Sequence, residues 1–154
     1  MRYQAHGFIP INFPPARRNM GVAAGITIVK GDVLQDDGSG YATNAATAFA
    51  ATHFGVAASD RDNSAGAADA LDAEYYPFDT KTQYIVPVST DALITRTAVG
   101  TFCNLGNNDD LDIATNPTEG IAFRVDDIDV SAEAIAANTF GYAIGHFVVI
   151  GTQA

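Results

Sequence analysis

Three histidines, one cysteine and eighteen acidic residues are the side chains of this 154-residue chain with the means to do chemistry. His6, His53 and His146 stand far apart with no metal-ligand spacing. His53 and His146 lie in or beside apolar runs, where a hydrogen-bonded structural histidine is the ordinary outcome. Cys103 is alone, so it forms no internal disulfide, and a cysteine-based metal site lacks its other ligands. It is expected to be a buried structural thiol. No glycine-rich phosphate loop joins a strand to a helix, because Gly38-Ser39-Gly40 is too short and follows two aspartates.

The acids warrant a calcium test, since that ion takes carboxylate and carbonyl oxygens. Asp60, Asp62 and Ser64 match the first, third and fifth positions of an EF-hand loop. The match then breaks: glycine arrives one position late at Gly66, and Leu71 stands where the bidentate Glu belongs. Asn107, Asp109, Asp110 and Asp112 form a looser acidic loop of the same kind. An enzyme requires a base poised on a nucleophile, a carboxylate pair in a pocket or a metal. The chain supplies none of these as a pattern, so it is read as a non-enzyme with no cofactor. A pocket that brought His53 or His146 against two acids would reverse that reading.

The elements that must carry these residues read as β-structure. In Gln83 to Val99, Tyr84, Val86 and Val88 share one parity, the period of a half-buried strand, with Ile85 the exception. Pro87 cannot donate to a ladder and predicts an edge or a bulge there. Leu93 to Val99, rich in β-branched residues, predicts a second strand beyond the break at Ser89-Thr90-Asp91. Ile26 to Val29 and Val33-Leu34 flank a turn at Gly31-Asp32. Asp36 to Gly40 reads as a hairpin loop. Ala42 to Thr52 is a helical turn or a loop, and His53 to Ala58 a short strand.

Asp60 to Glu74 predicts an excursion from the body, with Ser64 capping a short helix. Thr101 to Leu105 is a strand, and Gly106 to Asp110 a loop. A register switch at Asp126-Asp127, after Ile121, Phe123 and Val125, predicts a bulge. In Phe140 to Ile150, the clearest strand, Gly141, Ala143 and Gly145 predict a close backbone approach. The fold class is therefore mainly β, a small single-domain barrel or sandwich spanning 25–154.

Residues 1–24 differ. Phe8-Ile9-Pro10-Ile11-Asn12-Phe13-Pro14-Pro15 excludes a regular helix and predicts an extended arm. Its apolar residues must lie on a surface, that of the chain's own body or of another subunit. Charge divides a few residues later: residues 1–31 hold four bases and no acid (+4), and residues 32–154 hold four bases and eighteen acids (−14). The net −10 argues against general affinity for nucleic-acid phosphates. No apolar run is long enough to span a bilayer, and no signal peptide opens the chain, which predicts synthesis in the cytoplasm.

Several short stretches taken in order resemble the tailed-phage head decoration, or capsid cement-like, proteins. They are Gly7-Phe8-Ile9-Pro10-Ile11 with Arg17-Arg18, Lys30-Gly31-Asp32-Val33, Phe54-Gly55-Val56-Ala57, Gln83-Tyr84-Ile85-Val86-Pro87-Val88 and Phe147-Val148-Val149-Ile150. The resemblance implies a β-barrel bound to the outside of an icosahedral head, commonly as a homotrimer, with the major capsid protein as partner and the arm reaching shell or neighbour. It implies no catalytic residue. Phe13-Pro14-Pro15 departs from the family, where a polar, Asn-Gly-rich stretch is expected. On this reading Phe8, Ile9, Ile11, Phe13, Arg17 and Arg18 make the contact, and a chain lacking residues 1–20 should fold yet fail to bind heads. The alternative is a surface-displayed binding module that takes carbohydrate or an ion through the acidic loops 60–74 and 107–112; the absence of tryptophan weakens its sugar form.

Overall fold

The computed structural model describes residues 3, 6–12, 14–45, 49–89 and 92–151. It is mainly β and sandwich-like. A six-stranded antiparallel sheet runs β1 (Ile9–Asn12), β9 (Gln83–Pro87), β13 (Tyr142–Ile150), β12 (Gly120–Asp129), β10 (Phe102–Asn107), β11 (Asp110–Asp112). A five-stranded sheet runs β2 (Arg18–Gly21), β8 (Asp72–Pro77), β6 (His53–Ala57), β4 (Val33–Asp36), β5 (Ala42–Asn44). β3 (Ile26–Ile28) and β7 (Arg61–Asn63) form a separate ribbon. Neither large sheet closes into a barrel. Each curls enough for one parallel bridge to cross it, Val88, just past β9, to Leu111 in β11 in the first and Val22, just past β2, to Ala42 in β5 in the second.

Alternation along the strands sorts side chains into three apolar layers. Val33 and Val56 point between the sheets, joining Tyr84, Val86, Val88, Phe123 and Phe147 in the main core. Their neighbours Leu34 and Ala57 point the other way, under Val22 and Ile28 beside the ribbon. On the outer face of the six-stranded sheet, Ile85 and Tyr142 meet Tyr3 and Ala134, the last from the short helix α1 (Ala132–Ala137) capped by Ser131. Ile85 is thus apolar out of phase because β9 is covered on both faces.

Several expectations need correction. Leu93 to Val99 is not a strand: Ile94 alone is buried in the main core, and a 3-10 turn over Arg96–Ala98 follows. Pro87 does not mark an edge, since β9 lies between β1 and β13 and Pro87 merely ends it opposite Tyr142. The proline on an edge strand is Pro10, in β1. Asp60 to Glu74 is no helical excursion but holds β7 and the start of β8.

Other expectations hold. The hairpin loop joins β4 to β5, with Gly38 at φ +94°. The bulge falls between Val125 and Asp127. Close backbone approach occurs at Gly145, where any Cβ would overlap the carbonyl oxygen of Arg124 in β12.

Candidate functional site

The residues expected to form a contact arm are woven into the two sheets. β1 pairs antiparallel with β9, Ile9 opposite Ile85 and Pro10 opposite Tyr84. β2 pairs with β8, Arg18 opposite Tyr75. Phe8 is 0% exposed, with ring centroids 5.5 Å from Phe123 and 5.4 Å from Phe147. Phe8 must therefore be withdrawn as a contact residue: a phenyl ring left out of that aromatic cluster would expose its own surface and open a hole among Tyr84, Phe123 and Phe147. Ile9 is half-buried and packs on the Tyr3–Ile85 cluster.

What reaches solvent is Ile11, at 39% exposure, together with Arg17 and Arg18. Phe13 lies outside the described residues. Ile11 lies on β1 and Arg18 on β2, outer strands of different sheets, and Arg17 immediately precedes β2. Arg17 Nη1 donates to Glu74 Oε2 at 3.1 Å, and its guanidinium lies 5.6 Å from the Tyr76 ring centre. Arg61 meets the other oxygen of Glu74 at 3.5 Å. Arg18 has no ion pair among the described residues.

Each histidine meets a different environment. His53 is buried: its Nδ1 accepts from the Ala50 N–H at 3.2 Å, so Nε2 carries the proton and donates to Gln35 Oε1 at 3.1 Å. Burial holds its pKa below the ordinary value, which keeps this tautomer neutral. It borders a cleft of about 250 Å³ lined also by Phe54, Phe78, Asp79, Ile121 and Phe147. Asp79 turns its oxygens back onto the Lys81 and Thr82 amides and the Thr82 hydroxyl. His146 pairs through Nδ1 with Asp126 Oδ2 at 2.6 Å, and Arg124 holds the other oxygen at 2.6 Å. Neither His53 nor His146 meets two acids.

His6, which the sequence offered only as a residue of the arm, does meet two: Nε2 lies 2.8 Å from Asp32 Oδ1, and Nδ1 2.7 Å from Asp109 Oδ2. Asp32 is 1% exposed and also accepts from the Val29 N–H and from Asn44 Nδ2. No spacing in the chain announces this cluster, since its members come from three loops.

Three carboxylates of the acidic loops fold onto their own surroundings, whereas Asp109 Oδ1 and Asp110 Oδ1 are buried without a hydrogen-bond partner among the described residues. Asp60 accepts from the Lys30 N–H, Asp62 from the Ser64 N–H and Thr27 hydroxyl, and Asp112 from the Ala114 N–H and Thr115 hydroxyl. Among the described residues no group of three His, Cys, Asp or Glu is placed to share a metal ion. Cys103 is buried, and burial pushes its thiol pKa up. Among the described residues no helix is long and apolar enough to cross a membrane. No protein-family model matches the chain, and no curated protein matches it.

Proposed function

We propose that this protein is a structural virion component that decorates and cements an icosahedral phage head, binding the assembled lattice of the major capsid protein from the outside. The observation that carries the reading is the exposure of Ile11 on the outer strand β1, of Arg18 on the outer strand β2 and of Arg17 just before it, in the one basic region of an acidic sequence. An edge strand offers unpaired backbone groups to a partner chain, and the arginines supply charge that an acidic shell would attract. The sequence resemblance to head decoration proteins points the same way. Phe8 and Ile9 act within the domain, fixing the edge rather than touching the partner.

A cement protein needs no reaction. It binds the assembled lattice in preference to dispersed subunits and so shifts the equilibrium toward the shell. A homotrimer multiplies a modest contact, because once one edge docks the others bind at an effective concentration of roughly millimolar.

Removing residues 1–20 is no longer the informative test, because it deletes β1 and the Phe8 ring from the core. The better variant is the double substitution Arg17→Glu, Arg18→Glu, which leaves the core intact. Cosedimentation with empty phage heads stripped of this protein should show saturable binding by the parent chain and at least a tenfold loss for the variant, on the order of 1–3 kcal/mol for losing charged partners at an interface. Parent protein that fails to bind heads, or a variant that binds as well as the parent, contradicts the proposal.

A further inference from the structure

The outer face of the five-stranded sheet is not wholly covered. Ile28 of the ribbon packs with Leu34, Ala57 and Ala73 in a buried layer, while Met20 of β2, Phe54 of β6 and Tyr75 of β8 stay partly exposed at the margin of that layer. A bulge puts Phe54 there. Leu34 pairs with Gly55 and Gln35 with His53, so Phe54 is the extra residue of β6; it has the parity of the inward-facing Val56 yet packs on the outer layer. Its ring meets that of Tyr75 at 77°, with the centroids 4.8 Å apart.

With Asp36, Gly38 and Thr52, these three side chains line an open bowl of about 510 Å³, a volume that suits a small ligand. Among the described residues lining it, Asp36 alone is charged. Its Oδ1 accepts from the Gly38 and Gly40 N–H groups at 2.8 and 3.0 Å. Those bonds fix the carboxylate and leave Oδ2 without a hydrogen-bond partner among the described residues.

Charge complementarity therefore calls for a cation. Two rings at nearly right angles give no single flat platform for a sugar to stack on, but they form an aromatic corner of the kind that receives a cation. A primary ammonium is a compact, strongly hydrated charge. A methylated one sheds water more easily and presents apolar methyl groups to the rings and to the Met20 thioether. We propose that this bowl is a binding site for a small quaternary ammonium ligand, its methyl groups against Phe54, Tyr75 and Met20 and its charge facing Asp36. The inference stands on the bowl alone, and its failure would leave the capsid reading untouched.

The test follows backbone amide NMR shifts of the full chain, at constant ionic strength, on titration with choline and with dimethylbutanol, its neutral tert-butyl isostere. Choline should shift the signals around Asp36, Phe54 and Tyr75 saturably and bind roughly fivefold more tightly than the isostere, because only the cation draws on the carboxylate and the ring faces. Asp36→Asn, whose amide oxygen still accepts from Gly38 and Gly40, should erase most of that preference, and so should Phe54→Leu. Shifts that do not saturate, an isostere or methyl glucoside that binds as tightly as choline, or a preference that survives either substitution overturns the proposal. The comparison of ligands on the parent chain decides even if a variant fails to fold.

Discussion

Phe8 separates a tail from a domain. Its ring completes the aromatic cluster with Tyr84, Phe123 and Phe147, so Phe8→Ala should destabilise the fold by about 3–5 kcal/mol, the usual cost of truncating a buried aromatic side chain. Urea titration measures it; a loss below about 1 kcal/mol would mean that the segment packs elsewhere. His53 makes a second prediction at this scale. Its pKa is lowered by burial, so the unfolded chain binds the proton more readily, and the stability from keeping the ring neutral is present above the unfolded-state value near 6.5 and is lost as pH falls from there through the lower folded-state value. His53→Gln should flatten the acid-side decline in melting temperature. Cys103, buried and with its thiol pKa raised, should resist alkylation in the native protein and react on unfolding.

Elements were legible where one face decided the pattern. Tyr84, Val86 and Val88 all enter the main core, as their parity predicted, and the bulge at Val125–Asp127 appears where the parity of β12 changes. Legibility failed where a strand is covered on both sides or where tertiary packing overrides propensity. Ile85 belongs to a second apolar layer that period two cannot express. Leu93 to Val99 has the β-branched composition of a strand, but only Ile94 finds the core, and no ladder recruits its neighbours.

The same limit hid the candidate site. Nothing in Phe8 to Phe13 tells whether its apolar residues fill their own core or a partner's; the pairing of β1 with β9 settles that for Phe8 and leaves Ile11 outside. The clearest prediction at this scale is Gly145→Ala. Its Cβ would strike the Arg124 carbonyl across the β12–β13 pair, so the strand must shift or the bulge must open, at a cost of roughly 1–3 kcal/mol. An unchanged denaturation midpoint would show that the two strands are not held so close.

At the scale of the molecule, two curled sheets, a ribbon and, among the described residues, one short α-helix build three apolar layers that leave Ile11 of β1 and Arg18 of β2 exposed. The charge follows the chain: the segment that forms both edges belongs to the basic +4 region, and the remainder carries −14. A docking contact led by Arg17 and Arg18 should weaken as salt screens it, with the association rate falling first. The most direct measurement is a cryo-electron microscopy reconstruction of the virion that encodes this chain. The account predicts density for this fold on the outer surface of the head, as trimers, with β1 and β2 turned toward the capsid lattice. Heads that lack that density, or that carry the domain with those two edges facing away from every neighbouring protein, would contradict it.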